Sequence, residues 1–201
     1  MSGVTIKNPG TGRQAYVSTD GQLLVQSENL SLQHFVSRYT GQAYQVQFED
    51  TGLTAKENVV GHIKNTSPTL SLVATYVRFQ VPVVAGGTAL NGAVVNNWRG
   101  YFGRTYVSGG TAAVPVNMNR SSGNAASVTA YQGDPVLSAI GTGVEWDRYY
   151  PTDNGQGSYN KEGALILGPN DTMSFVFNTD NTSGTAYLRL TFLMMDLSDL
   201  R

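Results

Sequence analysis

The sequence predicts an all-β fold, an antiparallel jelly-roll-like β-sandwich preceded by an extended N-terminal arm with a hairpin. From Tyr44 onward, short segments alternate apolar and polar residues with a period of two, which is typical of half-buried strands. Turn-forming residues separate these segments, and the 201-residue chain contains 23 Gly. Charged residues make up 13% of the chain, against about 25% in an average domain. Low charge with many turn residues is typical of β-rich proteins, and also of surfaces that pack into a larger assembly.

The composition also excludes several classes of function. The formal net charge is −1 and no basic block is present, so nucleic acid is not an expected partner, because phosphate binding requires clustered Lys and Arg. No apolar run reaches the length of about 18 residues that a membrane span needs. The N-terminus lacks an apolar signal core, so no secretory route is expected. The absence of Cys removes disulfides and thiolate chemistry and fits a chain made in a reducing cytosol.

Residues 1–40 are predicted to form an N-terminal arm for anchoring or assembly, and residues 41–201 the β-sandwich domain. Val4–Lys7 is a short strand, and Ala15–Ser18 with Gln22–Val25 predicts a hairpin, because an Asp-Gly pair lies at the turn between them. A lone hairpin is at best marginally stable in water, so the arm must pack on its own domain, a neighbouring copy or a partner. We expect it to dock on a partner through seven apolar residues: Val4, Ile6, Tyr16, Val17, Leu23, Leu24 and Val25.

Ser31–Tyr39 is the best candidate for a helix, although a short connecting strand also fits. Ser31 can cap the helix, and Phe35 and Val36 share one helical face with Leu32. The chain then turns to strands, of which roughly nine or ten are predicted after this point.

Two later segments define the predicted sandwich. Leu70–Val83 is apolar at both parities, so it is either covered on both faces or has one core face and one interface face. Pro151–Asn160 is predicted to be a loop. Gly163–Asp196 predicts three strands in a meander, whose inward residues are expected to be buried. These are Phe175, Phe177, Leu188, Leu190 and Phe192.

Few residues are candidates for a catalytic, metal-binding or ligand-binding role. His62 lies on an alternating strand without the positioned partners of a base or ligand, so a structural role is favoured. Asp180–Gly184 lacks the ligand pattern of an EF-hand, and no metal or cofactor site is predicted. Four carboxylates near one another in sequence leave open a glycan-degrading enzyme: Glu145, Asp147, Asp153 and Glu162. Six aromatic residues are candidates for stacking on sugar rings, or for cross-strand packing: Trp98, Tyr101, Tyr106, Trp146, Tyr149 and Tyr150.

Several segments together carry a resemblance to a known family. They are Glu57–Asn65, Leu70–Phe79, Val116–Asn119, Ser122-Gly123, Ala130–Gly133 and Gly163–Asp171. Through them, Gln45–Asp196 resembles a broad family of bacteriophage virion proteins with a jelly-roll-like β-sandwich. Ala15–Val25 is similar to leaders that are common in phage structural proteins. The matching motifs are turn and core patterns, so no catalytic residues come with them.

The resemblance implies a virion component without enzyme activity or cofactor. The expected role is a capsid decoration or cement protein, or a minor head or neck protein, made in the host cytoplasm. Its expected partners are further copies of itself, as a homo-oligomer and most plausibly a trimer, and the major capsid or neck protein of the particle. The alternative is an adhesin module of the virion whose outward loops bind a host receptor or carbohydrate.

Overall fold

A computed structural model describes the chain as two compact units, Met1–Ser31 and Leu32–Arg201. The residues that it describes are 5–7, 14–17, 23–24, 32–90, 95–138, 143–151 and 156–196.

The first unit is a small antiparallel sheet. Its strands are β1 (Thr5–Lys7), β2 (Gln14–Val17) and β3 (Leu23–Leu24), in the order β1-β2-β3. The predicted hairpin is confirmed, because Tyr16 lies opposite Leu24. The predicted docking residues Val4 and Val25 fall outside the described residues.

The second unit contains one helix and the remaining strands of the part of the chain that is described. They are α1 (Leu32–Tyr39), β4 (Ala43–Asp50), β5 (Glu57–Asn65), β6 (Ser71–Ala85), β7 (Asn97–Phe102), β8 (Tyr106–Ser108), β9 (Thr111–Ala112), β10 (Val116–Asn117), β11 (Val128–Gln132), β12 (Val136–Leu137), β13 (Val144–Tyr149), β14 (Gln156–Leu167), β15 (Thr172–Asn178) and β16 (Ser183–Met195).

These strands form two main antiparallel sheets with the strand order of a jelly roll. The first sheet has the order β10-β4-β16-β6-β14, and the second sheet has the order β13-β7-β15-β5-β11-β9. The eight principal strands pair from the ends of the unit inward: β4 with β16, β5 with β15, β6 with β14 and β7 with β13. Two nested Greek keys produce this pattern. The predicted antiparallel jelly-roll-like sandwich is therefore confirmed.

The core lies between the two sheets and contains the residues that the alternation predicted. The five predicted inward residues of β15 and β16 are between 0% and 3% exposed, so the predicted phase of both strands is correct. Gly100 of β7 allows the Trp146 indole to pack directly against the backbone of that strand, because a Cβ there would collide with the indole.

Helix α1 covers one end of the outer face of the first sheet. The helix ends at Gly41, whose φ of 62° suits glycine, and the Gly41 N–H donates to the Val36 carbonyl. Val36 packs in a buried cluster that includes Val73 of β6 and Leu193 of β16. The helix therefore belongs with the sandwich rather than with the arm. The two apolar parities of β6 have a different cause: a register shift between β16 and β6 skips Thr75, so that Leu72 and Ala74 before it and Val77, Phe79 and Val81 after it all lie in the same core.

The predicted loop Pro151–Asn160 is wrong from Gln156 onward. There β14 begins and pairs with β6, with Gln156 opposite Gln80. The Gly and polar residues of this segment hide the strand pattern. Because β6 is 15 residues long, its edge extends far enough for the chain to pair there.

Candidate functional site

The outer faces of the two sheets differ. The outer face of the second sheet is covered by another part of the same chain. We call residues 105–138, which join β7 to β13 and contain β8–β12, the insertion. Leu137 of the insertion packs against Val59, Tyr101 and Val176 on this face. Tyr106 stacks on the His62 ring, with 6.5 Å between the centroids. The insertion therefore closes a second, smaller core on the outside of the sheet.

His62 is held neutral inside this second core. It is 1% exposed, and its Nδ1 lies 3.0 Å from the Ser174 Oγ. Burial, with a smaller contribution from the charge on Lys64, lowers the pKa of His62 to about 4. The burial of this imidazole agrees with the structural role predicted for it.

Arg104 is the least satisfied charge under the insertion. The side chain is 1% exposed, and its guanidinium carbon lies 3.5 Å from the centre of the Tyr101 ring. Its three guanidinium nitrogens have no hydrogen-bond acceptor among the residues that the structure describes. The cation–π contact offsets part of the desolvation of the charge, but burying an unpaired guanidinium still destabilises the fold.

A chain of polar contacts runs across the exposed margin of the same sheet. The Arg99 Nη1 donates to the Glu57 Oε1 at 2.8 Å, and the Tyr101 hydroxyl donates to the Glu145 Oε2 at 3.2 Å. Arg148 binds both oxygens of Glu145, at 2.7 and 2.9 Å. The hydrogen bonds from Arg148 lower the pKa of Glu145.

Glu145 therefore lacks the raised pKa that a glycosidase acid requires. Asp153 and the side chain of Glu162, two of the other carboxylates predicted from sequence, lie outside what the structure describes. No pair of carboxylates with a catalytic arrangement emerges from the described residues.

The six predicted aromatic residues do not form one platform. Trp98 and Tyr101 are 3% and 6% exposed, so neither offers a ring face to a ligand from solvent. Trp146 and Tyr149 are half-buried and pack on Phe175 and Phe79. The other two lie apart from these: half-buried Tyr106 belongs to the insertion and stacks on Tyr131, and Tyr150 is 40% exposed at the end of β13.

The outer face of the first sheet is open beyond α1 and is mainly polar. The register of β4, β16 and β6 places Gln47 opposite Arg189, and Arg189 opposite Arg78. All three side chains are exposed. In the next row, Glu49 lies opposite Tyr187, and a hydrogen bond with Glu49 raises the pKa of the Tyr187 hydroxyl.

A shallow pocket of about 180 Å³ lies on this open face. Arg78 and Arg189 line it together with the side chains of Gln47, Gln80 and Tyr187. A register shift beside Tyr187 interrupts the pairing of β16 with β6 there, and such irregularities re-aim side chains. The pocket lining therefore includes two arginines, two glutamines and a tyrosine, together with Phe79 and Leu188.

The insertion carries a further surface of unusual composition. Residues 105–138 include only two charged side chains, Arg120 and Asp134. Four valines of this segment are more than half exposed: Val107, Val114, Val116 and Val136. Apolar residues with few charges between them are characteristic of surfaces that other molecules cover.

The remaining chemical possibilities have little support in the described part of the chain. It contains no group of three or more potential metal-ligating side chains. Asp180 instead accepts hydrogen bonds from the Thr88 amide and hydroxyl, as expected for a polar turn. Within the same described residues, no helix is long and apolar enough to cross a membrane.

Comparisons with protein-family models, with curated proteins and with solved structures returned no match. Any assignment of function therefore depends on the fold and on the sites described above.

The sequence did not indicate that Arg78 and Arg189 form a pair, or that a pocket lies beside them. Each residue occupies an outward position on a period-two strand, and that signal is visible. The proximity of Arg78 and Arg189 depends on β16 lying between β4 and β6. No local sequence pattern reveals that strand order.

Proposed function

We propose that this protein is a non-enzymatic structural component of a bacteriophage particle. In this role it is a capsid decoration or cement protein, or a minor head or neck protein, that attaches through its N-terminal sheet and stabilises the particle as a homo-oligomer. The jelly roll supports this class, because viral capsid proteins commonly use that fold. Lectin domains use it too, so a glycan-binding adhesin module of the virion is the second candidate.

The observation that carries the proposal is the separate N-terminal sheet. The register places Ile6, Ala15, Val17 and Leu23 on one face of this sheet. Every residue of that set is apolar, whereas the other face is mixed. Three short strands cannot bury an apolar face without another surface. A sheet of this kind serves an anchor well, because its apolar face and its strand edges can both engage a partner.

The insertion supports the homo-oligomer. Its four exposed valines belong to a segment with only two charged residues, a composition that suits a contact between identical copies. This argument replaces the one based on β6, because the register shift at Thr75 brings both apolar parities of that strand into the core. A trimer remains the expected state.

The test compares attachment of two full-length double variants to particles that lack the protein. Val17→Asp with Leu23→Asp places two charges on the apolar face of the N-terminal sheet. Thr5→Asp with Gln14→Asp places two charges on its other face. We expect the first variant to lose most of its occupancy on the particles, and the second to retain occupancy close to that of the unmodified protein.

A truncation lacking residues 1–31 provides the companion measurement. It should remain folded and oligomeric in sedimentation and circular dichroism, yet fail to attach. Equal occupancy of the truncated and full-length proteins would overturn docking through the arm. An unfolded truncation would instead show that the arm is part of the sandwich core.

A further inference from the structure

We infer that the open face of the first sheet binds the carboxylate of an acidic sugar, such as a uronic or sialic acid, between Arg78 and Arg189. This inference does not depend on the proposed particle role, because it concerns a site on the sandwich and can be measured on the isolated protein. It uses none of the six aromatic residues predicted from the sequence.

The first step of the argument is the direct opposition of two like charges. Arg78 and Arg189 are register partners on β6 and β16, and the Cβ atoms of such partners lie about 4.5–5.5 Å apart. Like charges in this position destabilise a sheet. Neither guanidinium has a hydrogen bond or an ion pair with any residue that the structure describes. An anion placed between them would remove the repulsion and gain charge-assisted hydrogen bonds.

The second step concerns the acidic side chain in the next row of this face. Glu49 lies opposite Tyr187, and its hydrogen bond with Tyr187 raises the pKa of the Tyr187 hydroxyl. Among the described residues no carboxylate forms an ion pair with Arg78 or Arg189, so the two arginines can take an anion from another molecule.

The third step concerns the shape and lining of the site. The pocket of about 180 Å³ is smaller than the roughly 300–1,000 Å³ of sites for drug-sized ligands, which suits one ring or one charged group. The amides of Gln47 and Gln80 can donate to and accept from sugar hydroxyls. The ring of Tyr187 supplies an apolar surface with a polar edge.

The same lining disfavours a protein or nucleic-acid partner at this site. The cores of protein interfaces are depleted of charge and rich in apolar residues, whereas the rows around the pocket consist of Gln, Arg, Glu and Tyr. Two arginines without a wider basic patch are too few for a nucleic-acid backbone. A carboxylate on a hydroxyl-rich ring satisfies both the charges and the amides.

The experiment begins with an array of acidic and neutral glycans and continues with titrations of the full-length protein. The titrations use tetragalacturonate and sialyllactose, with methyl-esterified tetragalacturonate and lactose as their uncharged counterparts. We expect at least one acidic probe to bind about tenfold or more tightly than its neutral counterpart, because hydrogen bonds to charged groups dominate the site. Binding should weaken as the salt concentration rises.

Two variants test the assignment of the residues. Arg78→Gln and Arg189→Gln keep side-chain length and hydrogen-bonding capacity but remove the charge, and each should weaken the acidic probe about tenfold or more. Arg120→Gln, at an exposed arginine of the insertion, is the matched control and should bind like the unmodified protein. Circular dichroism and the unfolding midpoint verify that all three variants are folded.

Three results would overturn the inference. They are binding of no acidic glycan on the array, equal binding of the acidic and neutral probes, and unchanged affinity in both variants of the pair. Loss of particle occupancy in these variants, without glycan binding, would assign the arginines to an acidic protein partner instead and would also overturn it. Failure of the arm to dock would leave the glycan result unaffected, so the two proposals fail separately.

Discussion

The two sheets of the sandwich treat their outer faces differently. The second sheet buries its outer face beneath the insertion, where Val176 and Ser174 are inaccessible to solvent. The first sheet is covered only at one end, by α1, and leaves Arg78 and Arg189 exposed on the remainder. The same jelly roll thus has one face committed to its own stability and another available to ligands.

The covered face also shows the consequences of burying polar side chains. Burial lowers the pKa of His62 and favours its neutral form, and Arg104 is buried with a ring contact but with no hydrogen-bond acceptor in the described part of the chain. On the open face, water solvates the arginines and no such penalty arises. On the covered side, substitutions of buried side chains should therefore change the free energy of unfolding. On the open side, substitutions of exposed side chains should leave it nearly unchanged.

The largest effect is expected between the sheets. Phe177→Ala should lower the free energy of unfolding by about 3–5 kcal/mol and Leu190→Ala by about 2–5 kcal/mol, because both leave cavities in the core. Gln47→Ala, on the open face of the neighbouring β4, should stay within about 0.5 kcal/mol. Chemical denaturation measures all three. An unchanged midpoint in both core variants would contradict the strand phase on which the fold rests.

The next effect is a dependence of stability on pH that arises from His62. Its folded pKa of about 4 lies below the ordinary 6.5, so the unfolded chain takes up the proton first as pH falls. The neutral imidazole therefore contributes about 3 kcal/mol to the free energy of unfolding above about pH 6.5. This contribution is lost as the pH falls toward about 4. His62→Gln should remove this part of the pH profile. Parallel profiles for the variant and the unmodified protein would show that the imidazole is not buried in its neutral form.

A smaller change of opposite sign is expected at Arg104. Arg104→Met removes the buried charge and keeps a flexible side chain against the Tyr101 ring, so the free energy of unfolding should rise by about 2 kcal/mol. Arg120→Met, at an exposed arginine, should change it by less than about 0.5 kcal/mol. A loss of stability at Arg104 would indicate that its guanidinium has an acceptor.

The smallest effect on unfolding, but a visible one on assembly, is expected at the insertion. Val107→Lys with Val136→Lys introduces charge on exposed positions, so unfolding should change by less than about 0.5 kcal/mol per site. Sedimentation should nevertheless shift toward the monomer, because charge is unfavourable in an apolar interface. Gln47→Lys on the open face serves as the control and should leave the oligomer intact. A dissociated Gln47→Lys variant would place the interface on the open face.

The features of this protein that could be predicted from its sequence are those that depend on local residue patterns. Period-two alternation identified the inward faces of β15 and β16, and the Asp-Gly turn identified the hairpin of the arm. The first part of β14 was missed, because its stability derives from pairing with β6 rather than from its own residues. The covered and open faces could not be predicted either, since each depends on contacts between segments that are distant in sequence.

The most direct test of the proposed role is the composition of purified bacteriophage particles that assemble in cells expressing this chain. Quantitative mass spectrometry after gradient purification would measure the amount of the protein relative to the major capsid protein. The proposed structural role predicts a fixed ratio across preparations that salt washing does not remove. Absence of the protein from infectious particles that assemble while it is expressed would contradict that role.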